Sequence, residues 1–394
     1  MPADRFISRF LLVSLNLDEI LLETSIHRRR ERLGGIANGL GLGGAYGATL
    51  ARIEAQGIRR SSLGVAALMW ICHSERPLRA EELCQALAVE IGSADYNVDN
   101  APSIRTVLSC CQGLVVKDED GPAVRLIHFT LQKYLTSHPN LFPSPHATIA
   151  ETCLTYLNSH QVIDISTFGF QCTHHTAFLE YSTLHWGTHM KKEPSARGTA
   201  LALELFSHYE CHVSVKLLFE HTLGQNSLGS ISGFSGFAGL HCASMFGVVE
   251  VVRALIEIDG VDINSADNTG ATPLIWASRG GHWCVVEMLL GREDIDPDRP
   301  ENSYGRTPIS WAARNGHKEV VELFLRRQGI NLNSADYYGQ TPISHAAENG
   351  HAAVMKLLLR REDVHPNTQD IWGQTALSYA SIWMDEFVAQ PETT

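Results

Sequence analysis

The sequence predicts a mainly α-helical chain, with a helix-and-hairpin domain and a helical region followed by an α-solenoid of short repeats. Three observations carry this. Gly236, Gly270, Gly305, Gly339 and Gly373 recur at intervals of 34, 35, 34 and 34 residues. An apolar run at helical spacing follows each of the first four: Val251-Val252…Leu255-Ile256, Val285-Val286…Leu289-Leu290, Val320-Val321…Phe324-Leu325 and Val354-Met355…Leu358-Leu359. Ahead of the repeats, helical spacing gives way to two short apolar segments flanking an acidic turn, which reads as a β-hairpin.

Within each repeat the residue types have mechanical reasons. Behind the last four turn glycines come Thr272-Pro273-Leu274, Thr307-Pro308-Ile309, Thr341-Pro342-Ile343 and Thr375-Ala376-Leu377. The threonine hydroxyl caps the first helix, and proline sits at N1, where no amide hydrogen is needed. Ala243, Ala277, Ala312, Ala346 and Ala380 let neighbouring inner helices approach closely. Gly247, Gly281, Gly316 and Gly350 suit a left-handed C-cap. The Val-Val…Leu-Leu face supplies the stacked core, and one copy cannot bury it alone. A period near about 33 with this punctuation resembles the ankyrin repeat, over residues 234–394. The usual histidine after Thr-Pro-Leu survives only as His241; Ile275, Ser310, Ser344 and Ser378 replace it, which predicts a weaker turn. The fifth copy has Thr375, Leu377 and Ala380, then Trp383, Met384, Phe387 and Val388 without a second helix, so the last ~20 residues are expected to fray.

With 44% apolar and 8% aromatic residues the chain is globular, and 394 residues suffice for two or three domains. A formal net charge of −12 argues against general affinity for nucleic acid or anionic membrane. Nine cysteines without a Cys-x-x-Cys pair fit a reducing interior. Asn16, Asp18 and Glu19 interrupt the apolar run Phe10-Leu11-Leu12-Val13, so neither a signal peptide nor a membrane span is expected. These features predict a cytoplasmic chain.

In chain order, residues 1–40 hold an amphipathic helix (4–33, with Phe6, Phe10, Val13, Leu17, Ile20 and Leu21 on one face) that ends in the basic cluster His27–Arg32. That cluster is read as a solvated helix end. A domain follows over 41–140. Tyr46, Leu50 and Ile53 mark one helix, and Leu63, Ala66, Ala67 and Trp70 a second. Leu83, Ala86 and Leu87 lie on a third after the turn Arg76-Pro77-Leu78. A helix from Ser103 leads into Leu114-Val115-Val116, the turn Asp118–Gly121 and Val124–Ile127. Helices followed by a hairpin make a winged-helix shape. Residues 141–229 form a helical linker region with an exposed loop at Lys191–Gly198 and a Gly/Ser-rich junction at 224–236, and the repeats occupy 230–394.

Glu75-Arg76-Pro77-Leu78…Glu81-Glu82-Leu83, Leu108–Leu114 and Leu126-Ile127-His128-Phe129…Tyr134-Leu135 also resemble the winged-helix segment behind the NACHT ATPase module of fungal multidomain proteins, a segment labelled after GPI inositol-deacylase. Cys153–Leu157 and Phe178–Tyr181…His185-Trp186 are similar to the helical region of the same proteins. The resemblance implies a signalling NTPase context of the self/non-self recognition type. None of the seven lysines follows a glycine, so the phosphate-binding Gly-Lys loop is lacking, and the NTPase module the resemblance implies is missing from this chain; the 1–40 helix reads as a remnant of it.

No catalytic, cofactor or metal site is expected. Gly233-Phe234-Ser235-Gly236-Phe237 has its glycine one place too early for a nucleophile elbow. Cys172, His174 and His175, and His208, Cys211, His212 and His221, lack the paired cysteines of structural zinc. Residues 61–140 carry six cations against nine acids, a net of −3, and the wing tip is acidic, the wrong sign for DNA. A hydrolase and a DNA-binding winged helix are the alternatives to a protein-binding scaffold.

Ankyrin arrays bind proteins through their concave face, so the resemblance places the partner there. The residues flanking the turn glycines are expected to point outward: Tyr304 and Arg306, Tyr337, Tyr338 and Gln340, and Ile371, Trp372 and Gln374. Arg279, Arg314, Asn315, Glu348 and Asn349 border the same face. Tyr, Trp and Arg are the types enriched at interface hot spots.

Overall fold

A computed structural model describes residue 20 and residues 24–30, 42–118, 121–168, 176–209, 212–223 and 236–381. Most of the expected N-terminal helix, the junction at 224–235, the wing-tip residues Glu119 and Asp120, Cys172, His174, His175, Cys211 and the residues after Ser381 lie outside this set. The described residues divide into two compact units: one drawn from residues up to Val162 and from 176–185, the other from 163–168 and 186–381.

In the first unit, α1 (Leu42–Glu54) and α2 (Ile58–His73) bury Tyr46, Ile53, Leu68 and Trp70. Three further helices, α3 (Ala80–Ala86), α4 (Ile104–Cys110) and α5 (Phe129–Thr136), surround a small sheet. Ser103 caps α4 by accepting the Thr106 amide, as its position before the apolar run predicts. α2 and α4 meet at Gly64, where a β-carbon would come within 2.8 Å of the Cys110 carbonyl oxygen.

The predicted hairpin is present as β2 (Val115–Lys117) and β3 (Ala123–Leu126), with Val115 opposite Leu126 and Lys117 opposite Val124. A two-residue strand, β1 (Leu78–Arg79), pairs with the other edge of β3, giving the order β1-β3-β2. Sequence patterning gives only a turn there, because two residues carry no period. Behind β1, Glu82 is fully buried and accepts four hydrogen bonds, from the Arg76 fork, the Arg79 amide and Arg79 Nε. At the wing, Asp118 pairs with Arg125. α6 (Pro145–Leu157) completes the core through Tyr156, which with Trp70 and Phe178 forms an edge-to-face aromatic cluster at 5.2–5.5 Å.

α7 (His160–Phe168) is followed among the described residues by α8 (Ala177–Lys192). The loop expected at 191–198 shrinks to three residues. α8 continues through Lys192, and α9 (Ala196–Phe206) starts at once because Ser195 accepts the Gly198 amide at 2.9 Å.

In the second unit, α9 and α10 (Val213–Leu223) pack on the first repeat. Phe206 lies where a β-carbon on Gly239 would fall (2.4 Å), and Phe219 meets Phe237 edge-on at 4.8 Å. These rings seal the apolar end of the array, as a solenoid requires. Four helix pairs follow. The inner helices are α11 (Gly239–Phe246), α13 (Pro273–Gly280), α15 (Pro308–Arg314) and α17 (Pro342–Glu348). Their outer partners are α12 (Val249–Ile256), α14 (Trp283–Leu290), α16 (Lys318–Arg326) and α18 (Ala352–Leu358). Inner helices pack on inner and outer on outer from copy to copy. Ala243, Ala277, Ala312 and Ala346 and the Val-Val pairs of the first three apolar faces are buried where the pattern put them, whereas Ala380 and Met355 are half-buried and Leu359, at the end of the last outer helix, is exposed. Thr272 and Thr307 cap their helices as expected. Thr341 does not, since its hydroxyl makes no bond to the amides of its helix. Where His241 accepts the Ala238 amide, Ser310, Ser344 and Ser378 instead hydrogen-bond the hydroxyl of the threonine three residues before, so the serines fill part of the gap left by histidine.

Candidate functional site

The turns at Gly270, Gly305, Gly339 and Gly373 are each built on a carboxylate. One oxygen of Asp336 accepts the amides of Tyr338 and Gln340, and Asp370 does the same for Trp372 and Gln374. The other oxygen reaches the inner helix: Trp276 Nε1 donates to Asp267, His345 Nε2 to Asp336, and the Tyr379 hydroxyl to Asp370. In the third copy the acid is Glu301, both of whose oxygens are taken by the amides of Ser303, Tyr304 and Arg306. Trp311, at the inner-helix position of Trp276, therefore keeps a buried Nε1–H without an acceptor among the described residues.

Successive tips are joined by backbone. Asn302 donates to the Thr269 carbonyl (2.7 Å), Tyr337 to that of Tyr304 (2.8 Å) and Ile371 to that of Tyr338 (3.0 Å). On this frame Tyr304 is 41% exposed, Tyr337 64%, Ile371 63% and Trp372 59%, and Tyr338 (37%) stacks on Trp372 at 5.6 Å and 17°. Five large apolar side chains thus stand in water in one row. Packing on the neighbouring tip takes up part of three of these surfaces: Tyr338 and Trp372 stack on each other, and the Tyr337 ring lies 2.6 Å from where a β-carbon on Gly305 would fall.

Two expected outward residues are buried instead. The Arg306 guanidinium turns inward to Asp336 (3.1 Å) and lies over the rings of Tyr304 and Trp311 at 4.6 and 5.1 Å. Gln340 is buried with its amide donating to the Tyr379 hydroxyl. Both follow the turn glycine directly, and there the chain is already entering the inner helix. Gln374, the last of this position, is exposed.

Several of the bordering residues make contacts between copies. Arg314 pairs with Glu348 of the next copy at 3.1 Å, Asn315 donates to the Arg279 carbonyl, and Asn349 to that of His345. Arg279 lies over Trp276 and Trp311, its guanidinium carbon 5.5 and 4.8 Å from the ring centroids. Burial pushes its pKa down from the usual guanidinium range. Burial also lowers that of His345, so the neutral ring serves Asp336, whose carboxyl is held below its ordinary value by His345 and Arg306 against the opposing cost of burial.

A row of histidines was missed by the sequence reading. His282, His317 and His351 each follow a C-cap glycine and donate Nε2–H to a carbonyl of the preceding copy: Met245 (2.8 Å), Arg279 (2.9 Å) and Arg314 (2.9 Å). The sequence signal is the recurring Gly-His at 281–282, 316–317 and 350–351. A β-carbon on Gly281 or Gly316 would meet the next histidine ring at 2.6 Å, so glycine is needed for close approach as well as for its positive φ.

Elsewhere, His212 accepts from the Ser214 amide, and its ring also contacts the Ser214 hydroxyl; His208, His212 and His221 form no ligand cluster among the described residues. Burial raises the thiol pKa of Cys72 and Cys84 to about 11 and of Cys111 and Cys242 to about 12, so none of these four supplies a thiolate near neutrality. No described helix is long and apolar enough to cross a membrane.

Comparison with known proteins agrees with this geometry. The family described as ankyrin repeats (3 copies) matches residues 208–301, 240–336 and 284–370, and the family described as GPI inositol-deacylase, winged helix domain, matches 51–147. The chain therefore carries ankyrin repeats behind a winged-helix domain. The deacylase in the second description names a domain type. Among curated proteins the chain is 28% identical over 259 residues to azaphilone pigments biosynthesis cluster protein L of Monascus ruber, covering 57% of this chain and 54% of that protein. It is 40% identical over 65 residues to "Probable E3 ubiquitin-protein ligase XBOS33" of Oryza sativa subsp. japonica. It is also 44% identical over 64 residues to E3 ubiquitin-protein ligase XBAT33 of Arabidopsis thaliana. Each of these two alignments covers 16% of this chain and 12% of the ligase. The chain spans about half the length of the Monascus relative.

Proposed function

We propose that this chain is a non-enzymatic interaction protein whose repeat array holds a protein partner through its concave face, at the tips and the adjoining ends of the inner helices. The observation that carries this is the row Tyr304, Tyr337, Tyr338, Ile371 and Trp372, exposed on a backbone-bonded frame. Exposed rings on a rigid support lose little conformational entropy on binding, which suits hot spots. The resemblance to fungal NACHT proteins supports a cytoplasmic signalling setting of the STAND NTPase, self/non-self recognition type, with an NTPase module as a second partner. The raised thiol pKa values weigh against a thiol hydrolase, and the acidic balance of residues 61–140 against DNA binding.

Pull-down with the intact chain, and with Tyr338→Ala and Trp372→Ala, tests the interface. Each substitution should weaken capture of the partner by roughly 2 kcal/mol while the thermal midpoint moves little. Equal capture by wild type and both variants overturns the assignment of this surface.

A further inference from the structure

The position nine residues after each turn glycine forms a column on the inner helices: Met245, Arg279, Arg314 and Glu348. Arg314 and Glu348 satisfy each other across two copies. Arg279 has methionine on one side of it in the column and an engaged arginine on the other. Glu301, the acid whose charge acts on it, is consumed by three backbone amides. Among the described residues the Arg279 guanidinium therefore forms no hydrogen bond or ion pair; only the faces of Trp276 and Trp311 hold it. Five N–H donors in a fixed fork stand half-buried without an acceptor, over an indole whose own Nε1–H is also unmet.

We propose that Arg279 is the socket for a carboxylate, an aspartate or glutamate side chain of the protein partner. This rests on the interface reading above and adds the partner's chemistry to it. A guanidinium fork matches the two carboxylate oxygens, and ring contacts that pre-position it lower the ordering cost of docking. A phosphate dianion would call for a second free cation, and the neighbouring Arg306 and Arg314 are already paired with Asp336 and Glu348. Charge complementarity thus favours a single carboxylate set beside residues that cover the exposed tip rings.

The test selects random dodecapeptides displayed on phage against the full chain and measures the affinity of synthetic winners by fluorescence polarisation. Winners should contain an acidic residue whose amide replacement weakens binding roughly ten-fold to a hundred-fold. That replacement should change affinity for Arg279→Gln by less than about two-fold, the coupling expected of a direct pair. Arg279→Lys, which keeps the charge without the fork, should lose an intermediate amount and serves in its place if the glutamine variant fails to fold. Peptides weakened by Trp372→Ala but indifferent to Arg279→Gln overturn the socket and leave the interface standing. Peptides indifferent to both substitutions, or a selection yielding no binder, sink the interface reading itself. A phosphoserine version that binds ten-fold tighter than the acidic one overturns the choice of carboxylate.

Discussion

Replacing Gly316 by alanine separates two costs that coincide at the C-caps. Gly316 has φ +75°, so an alanine there carries the left-handed penalty, roughly 1 kcal/mol. Its β-carbon would also sit 2.6 Å from His351 Nδ1, forcing the ring away from the Arg314 carbonyl it bonds at 2.9 Å. Losing that inter-repeat hydrogen bond adds about 1 kcal/mol, for a total near 2 kcal/mol. Gly329 is the internal control: its φ is +83°, and nothing lies within 4 Å of a β-carbon, so Gly329→Ala should cost only the backbone part, about 1 kcal/mol. In a His351→Ala background, where ring and bond are already gone, Gly316→Ala should fall to that same value. Because the chain has two compact units, a global unfolding midpoint is a poor measure. Native-state hydrogen exchange of peptides spanning Lys318–Arg326 and Ala352–Leu358 reads the local opening free energy instead. Equal losses for Gly316→Ala and Gly329→Ala in the wild-type background, or an undiminished Gly316 effect without His351, would refute the argument that the histidine row explains these glycines.

Two further outcomes follow from buried titratable groups. His282 donates Nε2–H to Met245 and faces the Lys191 ammonium with Nδ1 at 3.0 Å; burial, then Lys191, lower its pKa from 6.5 to about 4. The folded state thus resists protonation, so its contribution, on the order of 3 kcal/mol at neutral pH, declines as pH falls below 6.5 and is lost through about 4; exchange protection of Trp283–Leu290 should fall over that window in the wild type and less in His282→Gln. Glu82→Gln removes the charge that receives the Arg76 and Arg79 bonds and should destabilise the first unit by about 2 to 3 kcal/mol. Those bonds outweigh burial and depress its pKa, so the difference from wild type should shrink as pH drops below the ordinary 4.5; a difference that persists unchanged in acid would count against the charge as the cause.

The repeats were legible in the sequence because their signals are local. A turn glycine, a capping threonine, a proline at N1 and a Val-Val…Leu-Leu face each act within one turn of chain, and copying them at intervals of 34 or 35 residues leaves one stacking solution. The winged-helix hairpin was legible for the same reason, and β1 was not, since two residues become a strand only when β3 lies beside them. Which flanking residues face water was settled by neighbours about one copy away. Arg306 turned inward because Asp336, 30 residues on, offers a carboxylate, and Gln340 because Tyr379 offers a hydroxyl. Arg279 was left without an acceptor because the next residue in its column is Arg314, while Arg314 meets Glu348. Pairing between copies depends on what stands about 34 residues away, at a distance that only the stacked structure closes.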